Sequence, residues 1–202
     1  MYKIRKKFKK YMQLNIYIIS HPIIQQLSSQ VMNPTLVTQS VYNQNCKRLG
    51  LLMIYEVMRK WMQVQNIYIK QINQIKKLCV LEKEESYIIV TDLVDSYNIV
   101  IDALDLLPRV ELNHINFQQE LALIDNNNTI RINTKEKQKI IIINLHFNND
   151  IIVQFLDYLI MEKHVKINQI KIICITCEHQ VLEKIGDKYP NLNIYTTKIT
   201  KF

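Results

Sequence analysis

The sequence predicts an α/β fold in which a mostly parallel sheet is flanked by helices, with a small hood on one side. Strand-like and helix-like segments alternate through the second half of the chain, which is typical of parallel βαβ units. Residues 140–144 form a continuous apolar run, the pattern of a parallel strand that is buried on both faces. Segments 66–82 and 112–133 look antiparallel, and we expect them to form the hood.

The first elements follow from short local signals. Residues 15–20 are apolar and β-branched, which predicts a strand. Pro22 suits the first turn of a helix, and the Asn33-Pro34 pair should end that helix.

A second, amphipathic helix should begin at a cap on Thr35 and run to about residue 62. We expect Tyr55 and Trp61 to lie on or near its buried face. The remaining predicted elements are strands at 67–69, 78–81 and 87–91, a helix at 96–107, strands at 110–117 and 121–124, a turn at 125–128, the strand at 140–144, a helix at 150–163, a strand at 170–176, a helix at 178–187 and a strand at 192–197.

Composition limits the function more than length does. The 202 residues suffice for one domain, and the only glycines are Gly50 and Gly186. A dinucleotide fingerprint or a P-loop needs several close glycines, because backbone amides must approach phosphate where no Cβ fits. Both site types are therefore excluded.

The residue bias and the cysteines bear on location. The chain has 34 Ile, 21 Lys and 19 Asn against 2 Ala, a bias that accompanies AT-rich genomes such as those of plastids. Four cysteines in a chain of this size indicate reduced thiols, and no apolar run reaches the length of a membrane span or a secretory signal. We expect an organelle-encoded protein of the plastid stroma, peripheral to the thylakoid membrane at most.

The net charge of +8 is concentrated at the N-terminus. Residues 1–14 form a basic arm, and residues 15–202 form the folded domain. The arm combines six cations with aromatic side chains, which suits a mixed interface with an acidic protein surface. An RNA or an anionic membrane surface is the alternative partner. The residues that we assign to partner binding are Lys3, Arg5, Lys6, Lys7, Phe8, Lys9, Lys10 and Tyr11.

Three segments resemble the uracil phosphoribosyltransferase family. Ser20-His21-Pro22 and the helix Leu49-Gly50-Leu51-Leu52-Met53-Ile54-Tyr55-Glu56 are similar to the family's opening. Segment 170–199, with its Ile194-Tyr195-Thr196 strand, is similar to the family's closing strand, helix and strand. The resemblance covers nearly the whole chain. It implies a type I phosphoribosyltransferase-like fold with a small hood.

The resemblance fails at the family's first anion-binding loop. That loop reads P-I-L-R-A-G and holds pyrophosphate. The paired residues here are Thr91, Asp92, Leu93, Val94, Asp95 and Ser96. Val94 replaces the arginine and Ser96 the glycine, and two carboxylates flank the place where a polyanion would bind. Like charges within about 5 Å cost several kcal/mol when they are poorly screened.

The second anion-binding loop is lost as well. The family reads D-P-M-L-A-T-G-G where this chain has Ile143, Asn144, Leu145, His146, Phe147, Asn148, Asn149 and Asp150. Asn144 stands for the acidic residue that touches ribose, and the Thr-Gly-Gly turn that holds the 5′-phosphate is absent. We expect Phe147 near the phosphate position. The chain given also ends at Phe202, before the family's glycine-rich uracil-binding segment.

Other candidate sites have ordinary structural explanations. The Cys174-Ile175-Thr176-Cys177 motif lies on a predicted buried strand, where two core thiols are expected rather than a redox pair or, with His179, a metal site. Asp92, Asp95, Asp102 and Asp105 read as a helix cap and a solvated helix face. His21 should be a hydrogen-bonding corner, while His114, His146 and His164 lack nucleophile partners at a recognisable spacing.

We therefore predict a non-catalytic relative of the family, without cofactor, metal or small-molecule substrate. It would act as a structural or adaptor subunit of a photosynthetic, ribosomal or polymerase assembly. The alternative is an active uracil phosphoribosyltransferase that makes UMP from uracil and phosphoribosyl pyrophosphate with magnesium. A third interpretation is an RNA-binding module.

Overall fold

A computed structural model describes residues 2–4, 14–117 and 138–200. The strands are β1 (Tyr2–Ile4), β2 (Asn15–Ile18), β3 (Val64–Gln71), β4 (Gln74–Leu81), β5 (Ser86–Thr91), β6 (Val110–His114), β7 (Gln138–Phe147), β8 (Ile170–Glu178) and β9 (Asn193–Thr200). The helices are α1 (Pro22–Met32), α2 (Gln39–Met58), α3 (Leu93–Leu104), α4 (Ile151–Asp157, continued by a π-helical turn to Glu162) and α5 (His179–Lys188). Short 3₁₀ turns cover Pro34–Leu36 and Ile167–Gln169.

Seven strands form one sheet in the order β1-β2-β9-β8-β7-β5-β6. Every neighbouring pair from β2 to β6 is parallel, and only the edge strand β1 runs antiparallel, against β2. The long apolar strands β7 and β8 lie side by side, with Ile140 opposite Ile170. The predicted α/β class with a mostly parallel sheet is confirmed.

Helices cover both faces of the sheet, and the strands alternate between the two cores. Ile140 and Ile142 belong to the apolar cluster under α4 and α5. Ile141 and Ile143 belong to the cluster under α1, α2 and α3. A strand that buries successive side chains on opposite faces must be apolar throughout, which explains the continuous isoleucine run.

The first two helices begin at side-chain caps. His21 precedes α1, and its Nδ1 accepts a hydrogen bond from the backbone N–H of Ile23 at 3.3 Å, as the predicted corner requires. The cap of α2 is Thr38, whose Oγ1 accepts from the N–H of Val41 at 3.4 Å. The prediction of Thr35 was wrong, because residues 34–36 form a separate 3₁₀ turn before the helix.

The end of α2 also differs from the prediction. The helix stops at Met58, so Trp61 lies in the following segment, half-buried against the α1–α3 core. Tyr55 is 59% exposed, so its expected place on the buried face was wrong. Tyr55 lines an open apolar groove between the end of α2 and the residues that follow α3, Leu106 and Leu107.

Helices α2 and α3 approach each other closely at Gly50. A Cβ added at Gly50 would lie 1.8 Å from the carbonyl oxygen of Ile99 and 2.7 Å from its carbonyl carbon. Real Cβ atoms do not approach backbone atoms so closely. The glycine of the Leu49-Gly50-Leu51-Leu52 motif is therefore required by helix packing.

Of the segments predicted to form the hood, the structure describes residues 66–82 and 112–117. Strands β3 and β4 form an antiparallel two-stranded hairpin outside the main sheet, as expected for 66–82. Residues 112–114 do not join it, because β6 pairs in parallel with β5 at the edge of the main sheet. The strand and turn predicted at 121–124 and 125–128 lie outside the described residues. In the described part, no helix is both long and apolar enough to cross a bilayer.

Candidate functional site

The two eroded anion loops meet at the carboxyl edge of the parallel sheet. Strands β5 and β7 are neighbours, with Thr91 opposite Ile143. The residues that follow these positions approach each other, and Ser96 Oγ donates to Asn144 Oδ1 at 2.7 Å. Both side chains are buried. The two segments that the resemblance pairs with the family's anion-binding loops are thus neighbours in the fold.

The first segment contains almost no loop. Thr91 ends β5, Asp92 caps α3, and the helix begins at Leu93 rather than at the predicted Ser96. Asp92 is buried, and its Oδ1 accepts from the backbone N–H of Val94 at 3.0 Å. The capping role expected for an aspartate in this segment is confirmed.

The remaining positions of this segment lie on the first turns of α3. Val94, which occupies the arginine position, is 83% exposed. His114 Nδ1 accepts from the backbone N–H of Leu93 at 3.1 Å. Asp95 follows in the first turn of the helix. The amides that open α3 therefore already have partners from side chains of this chain.

The second segment is a strand where a loop was expected. β7 extends to Phe147, with His146 opposite Thr176 and Phe147 opposite Cys177, so the predicted end at residue 144 was wrong. Only Asn148 and Asn149 separate the strand from Asp150, which precedes α4. Leu145, His146 and Phe147, which the resemblance assigns to a phosphate-binding loop, therefore belong to the strand.

The pairing of β7 with β8 is interrupted at one residue. The register with β8 pairs Asn144 with Cys174 and resumes at His146, without a pair at Leu145. The backbone N–H of Leu145 lies 3.2 Å from Ser96 Oγ and 2.9 Å from Asn144 Oδ1. Asn144 Nδ2 donates to the carbonyl of His146 at 3.2 Å. The two substituted side chains thus satisfy the backbone where the ladder stops.

Phe147 and Asn149 complete this internal packing. Phe147 is buried and lies edge-on to Phe117, with ring centroids 5.6 Å apart. Asn149 Nδ2 donates to the carbonyl of Phe117 at 2.7 Å, and its Oδ1 accepts from the N–H of Ile151 at 3.2 Å. Asn148 is exposed.

Electrostatics at this edge do not favour a polyanion. Burial lowers the pKa of His146, and the nearby Asp95 carboxylate only partly opposes that shift. His146 Nδ1 shares a hydrogen bond with Thr176 Oγ1. Protonation of His146 is thereby disfavoured, and Asp92 and Asp95 place two carboxylates in the first segment.

The other candidate groups have structural roles. Cys174 and Cys177 are free, buried thiols of β8, and the hydrogen bond between them, together with burial, raises the pKa of Cys177. In residues 2–4, 14–117 and 138–200, no three His, Cys, Asp or Glu side chains are grouped so that they could hold a metal ion. Of the basic arm, Lys3 lies in β1, whereas Arg5, Lys6, Lys7, Phe8, Lys9, Lys10 and Tyr11 lie outside the described residues.

Sequence reasoning missed a charged cluster at the opposite, amino edge of the sheet. Lys139 Nζ pairs with Glu85 Oε1, and Glu85 Oε2 accepts from the hydroxyl of buried Tyr87. Lys171, only 6% exposed, donates to the carbonyl of Val57 at 3.0 Å and lies over the Trp61 ring. The available signal was a charged residue at or next to the start of each apolar strand.

The buried ammonium of Lys171 gives a testable pH dependence. Burial, with Lys139 as a nearby like charge, lowers its pKa from 10.5 to about 8. Above pH 8 the folded chain releases this proton while the unfolded lysine keeps it, so this group makes folding more favourable as pH rises. The free energy of unfolding of the wild type should therefore rise by about 1.5 kcal/mol relative to that of Lys171→Met as the pH increases from about 8 to about 9.5.

Urea unfolding of both proteins across this pH range measures the difference. Thiols and phenols titrate in both proteins, so their contributions cancel in the comparison. Lys198 is exposed, so Lys198→Met is the matched control. Its difference in unfolding free energy from the wild type should stay constant with pH. A stability difference between Lys171→Met and the wild type that stays constant with pH would contradict the buried-ammonium assignment.

Comparison with known proteins agrees with this architecture. The family model described as uracil phosphoribosyltransferase matches residues 18–201. Proteins described as uracil phosphoribosyltransferase homolog, from the red algae Porphyra purpurea and Pyropia yezoensis, are 32% and 30% identical over 93% of this chain and 89% of theirs.

More distant relatives include an enzyme-named protein and a solved structure. The Synechocystis protein named uracil phosphoribosyltransferase is 23% identical over 93% of this chain and 88% of its own. The structure of AQ2163 protein from Aquifex aeolicus has a TM-score of 0.68 at 14% identity, over 92% of this chain and 88% of that one, and so shares the fold. From the family model and the algal relatives together, the chain belongs to the uracil phosphoribosyltransferase family.

Proposed function

We propose that the chain is a non-catalytic member of its family that acts as a structural or adaptor subunit. The observation that carries this proposal is the bonding of the backbone amides at both anion motifs. The N–H groups of Leu93, Val94 and Leu145 are held by side chains of the same chain. A phosphate site at a helix start depends on such amides pointing freely at the ligand.

The residues present do not fit a pyrophosphate. Freeing the three amides for a ligand would take from the buried Asp92 carboxylate its hydrogen bond from Val94, at about 1–3 kcal/mol, while Ser96 and Asn144 would remain bonded to each other. The polyanion would also meet the carboxylates of Asp92 and Asp95. Magnesium could bridge the carboxylates to the ligand, but it would not restore the missing donors.

The activity assay is the direct test. We expect no UMP above a no-enzyme control when the purified chain is incubated with uracil, phosphoribosyl pyrophosphate and magnesium. We also expect no heat of binding with phosphoribosyl pyrophosphate in calorimetry. The Synechocystis relative, assayed in parallel, serves as the positive control. Measurable UMP formation would overturn the proposal and favour the enzyme.

The basic N-terminal arm is the proposed contact with the partner. Its six cations lie within ten residues, at separations where mutual repulsion is only partly screened at physiological salt. Strand β1 attaches the beginning of the arm to the sheet edge through β2. An acidic protein surface would neutralise the charge and accept Phe8 and Tyr11 as aromatic anchors.

A charge-removal variant tests the arm without deleting β1. Replacing Lys6, Lys7, Lys9 and Lys10 by Gln should abolish co-sedimentation with a large complex in plastid extract, and salt should weaken the wild-type association. The matched control replaces Lys70, Lys76, Lys77 and Lys83, four exposed lysines in and beside the hairpin, by Gln. Release by nuclease would indicate RNA instead, and release by detergent a membrane. Sedimentation of the wild type as a free chain would overturn the adaptor role.

The proposed location is the plastid stroma, supported by the AT-rich residue bias and by the red algal relatives. A photosynthetic complex, a ribosome and a polymerase are the candidate hosts. Identifying the proteins that sediment with the wild type, but not with the arm variant, would name the host.

A further inference from the structure

An open apolar groove of about 400 Å³ lies where α2 ends. The buried Ile54, Met58 and Leu107 form its floor, and the exposed Val64 and Leu106 belong to its walls. Three parts of the chain contribute to it, namely the end of α2 with the residues that follow, the root of the hairpin, and the residues after α3. Its volume and its apolar lining are typical of small-molecule sites.

The groove is remote from the carboxyl edge of the sheet. Helices α2 and α3 lie side by side, and Asn98 Nδ2 donates to Asn43 Oδ1 at 3.2 Å between their first halves. α3 begins at the carboxyl edge with its cap Asp92, rises about 18 Å along its axis, and ends at Leu104, just before the groove. A ligand in the groove would touch neither anion motif, so the groove is independent of the proposed adaptor function.

Two hydrogen-bond donors, the Tyr55 hydroxyl and the Arg59 guanidinium, line this groove. The two residues are four positions apart at the end of α2 and therefore lie on the same face of the helix. In the described part of the chain, the Tyr55 hydroxyl has no hydrogen-bond partner, and Arg59 Nη1 lies 3.8 Å from Glu56 Oε2. That distance is too long for a hydrogen bond, and exposed pairs of this kind stabilise little. Both donors are thus available to an acceptor on a ligand.

The charges around the groove favour an anionic group on that ligand. Among the described residues that line the groove, only Arg59 is charged. Within two sequence positions of the lining residues, Lys60 and Arg109 add two cations, and Glu56 and Asp105 add two carboxylates. Three cations against two carboxylates leave no attraction for a cationic ligand. A carboxylate is the best match to a guanidinium, because its two oxygens accept from two parallel N–H groups.

The apolar lining determines the rest of the ligand. Met58 and Met62 have flexible, polarizable side chains that adapt to an apolar ligand of irregular shape. Ile54, Val64 and Leu106 add aliphatic surface. Water gains no hydrogen bonds from this lining, so a hydrocarbon body that displaces the water is favoured.

We propose that the groove binds an amphipathic carboxylate of the fatty-acid type. Its carboxylate accepts hydrogen bonds from the Arg59 guanidinium and the Tyr55 hydroxyl. Its hydrocarbon chain lies against the two methionines and the residues that follow α3.

Methionine methyl groups make the test direct, because Met58 and Met62 line the groove. We titrate the full chain, labelled with ¹³C at its methionine methyls, with octanoate below the concentration at which it forms micelles. The Met58 and Met62 signals should shift with saturation, and the buried Met53 is the reference for changes that are not local. Octanol and octylammonium, which have the same hydrocarbon chain, should bind about tenfold more weakly. No saturable shift with octanoate, or equal affinity for either analogue, would overturn the proposal.

Variants test the head-group contact and the groove separately. Arg59→Gln should raise the dissociation constant of octanoate about tenfold and Tyr55→Phe about threefold, while Leu106→Gln should weaken octanoate and octanol alike. Lys198→Gln removes an exposed cation at the carboxyl edge, is the matched control, and should leave the constant unchanged. Circular dichroism verifies that each variant is folded. Equal affinity in the wild type and Arg59→Gln, or the same loss in Lys198→Gln as in Arg59→Gln, would overturn the assignment.

Discussion

Gly50→Ala should destabilise the domain by about 3 kcal/mol or more. The new Cβ would lie 1.8 Å from the carbonyl oxygen of Ile99, so α2 and α3 would have to move apart. Both helices are packed on the sheet core, which resists such a shift. The helix-propensity gain of alanine over glycine is only about 1 kcal/mol and does not offset this cost.

Urea unfolding followed by circular dichroism measures this effect. Gln44→Ala is the control, since Gln44 lies on the exposed side of α2 and should change the unfolding free energy by no more than about 0.5 kcal/mol. An unfolding midpoint for Gly50→Ala equal to that of the wild type would show that the helices do not pack as closely as described.

Glu85→Leu should lower the free energy of unfolding by about 4 kcal/mol. The substitution leaves the Lys139 ammonium half-buried without its carboxylate and deprives the buried Tyr87 hydroxyl of its acceptor. Burial and the hydrogen bond with Glu85 raise the pKa of Tyr87, so this hydroxyl stays a donor that requires a partner.

A double-mutant cycle separates the ion pair from simple loss of packing. Glu85→Leu combined with Lys139→Met removes both charges, and the double variant should be more stable than Glu85→Leu alone by about 1–3 kcal/mol. Chemical unfolding of the four proteins gives the coupling energy. Additive losses from the two single substitutions would show that the charges act independently.

At the carboxyl edge, side chains of this chain hold the backbone amides of both segments that resemble the family's anion-binding loops. Ser96 and Asn144 lie 48 positions apart in sequence, yet together they hold the amide of Leu145. Asp92 and His114 hold the first amides of α3 in the same way. Each polar substitution supplies an acceptor inside the chain. A search for lost basic residues would find the arginine position at Val94, but it would miss the hydrogen bonds by which Ser96 and Asn144 hold the Leu145 amide.

Much of the fold could be predicted, because it depends on local patterns. The isoleucine run of β7 indicated a parallel strand buried on both faces, and the Asn33-Pro34 pair ended α1 as expected. His21 was expected to be a hydrogen-bonding corner from its position before a helical segment, and a capping aspartate was expected among Asp92, Asp95, Asp102 and Asp105. The buried thiols of β8 followed from the apolar run around them. In each case, neighbours in sequence determine the structure.

The sequence-based predictions were wrong where strand pairing or burial depends on a segment that is distant in the sequence. β6 was assigned to the hood, but it pairs with β5 in the main sheet, since a short strand does not reveal its partner. β7 was ended at residue 144, but pairing with β8 carries it to Phe147. Tyr55 follows the helical period yet stays exposed, because no element of the described chain covers that part of α2.

Sequence alone therefore indicated the family and the α/β class, which the comparisons and the structure confirm, and it showed where the chain departs from the family's two anion motifs, since residue identity and periodicity carry that information. Tertiary structure decided how those motifs are filled, and it revealed the amino-edge cluster of Glu85, Lys139 and Lys171. The physical reason is that hydrogen bonds and ion pairs depend on distances of about 3 Å between atoms. Such distances between residues far apart in the chain exist only once the sheet has formed.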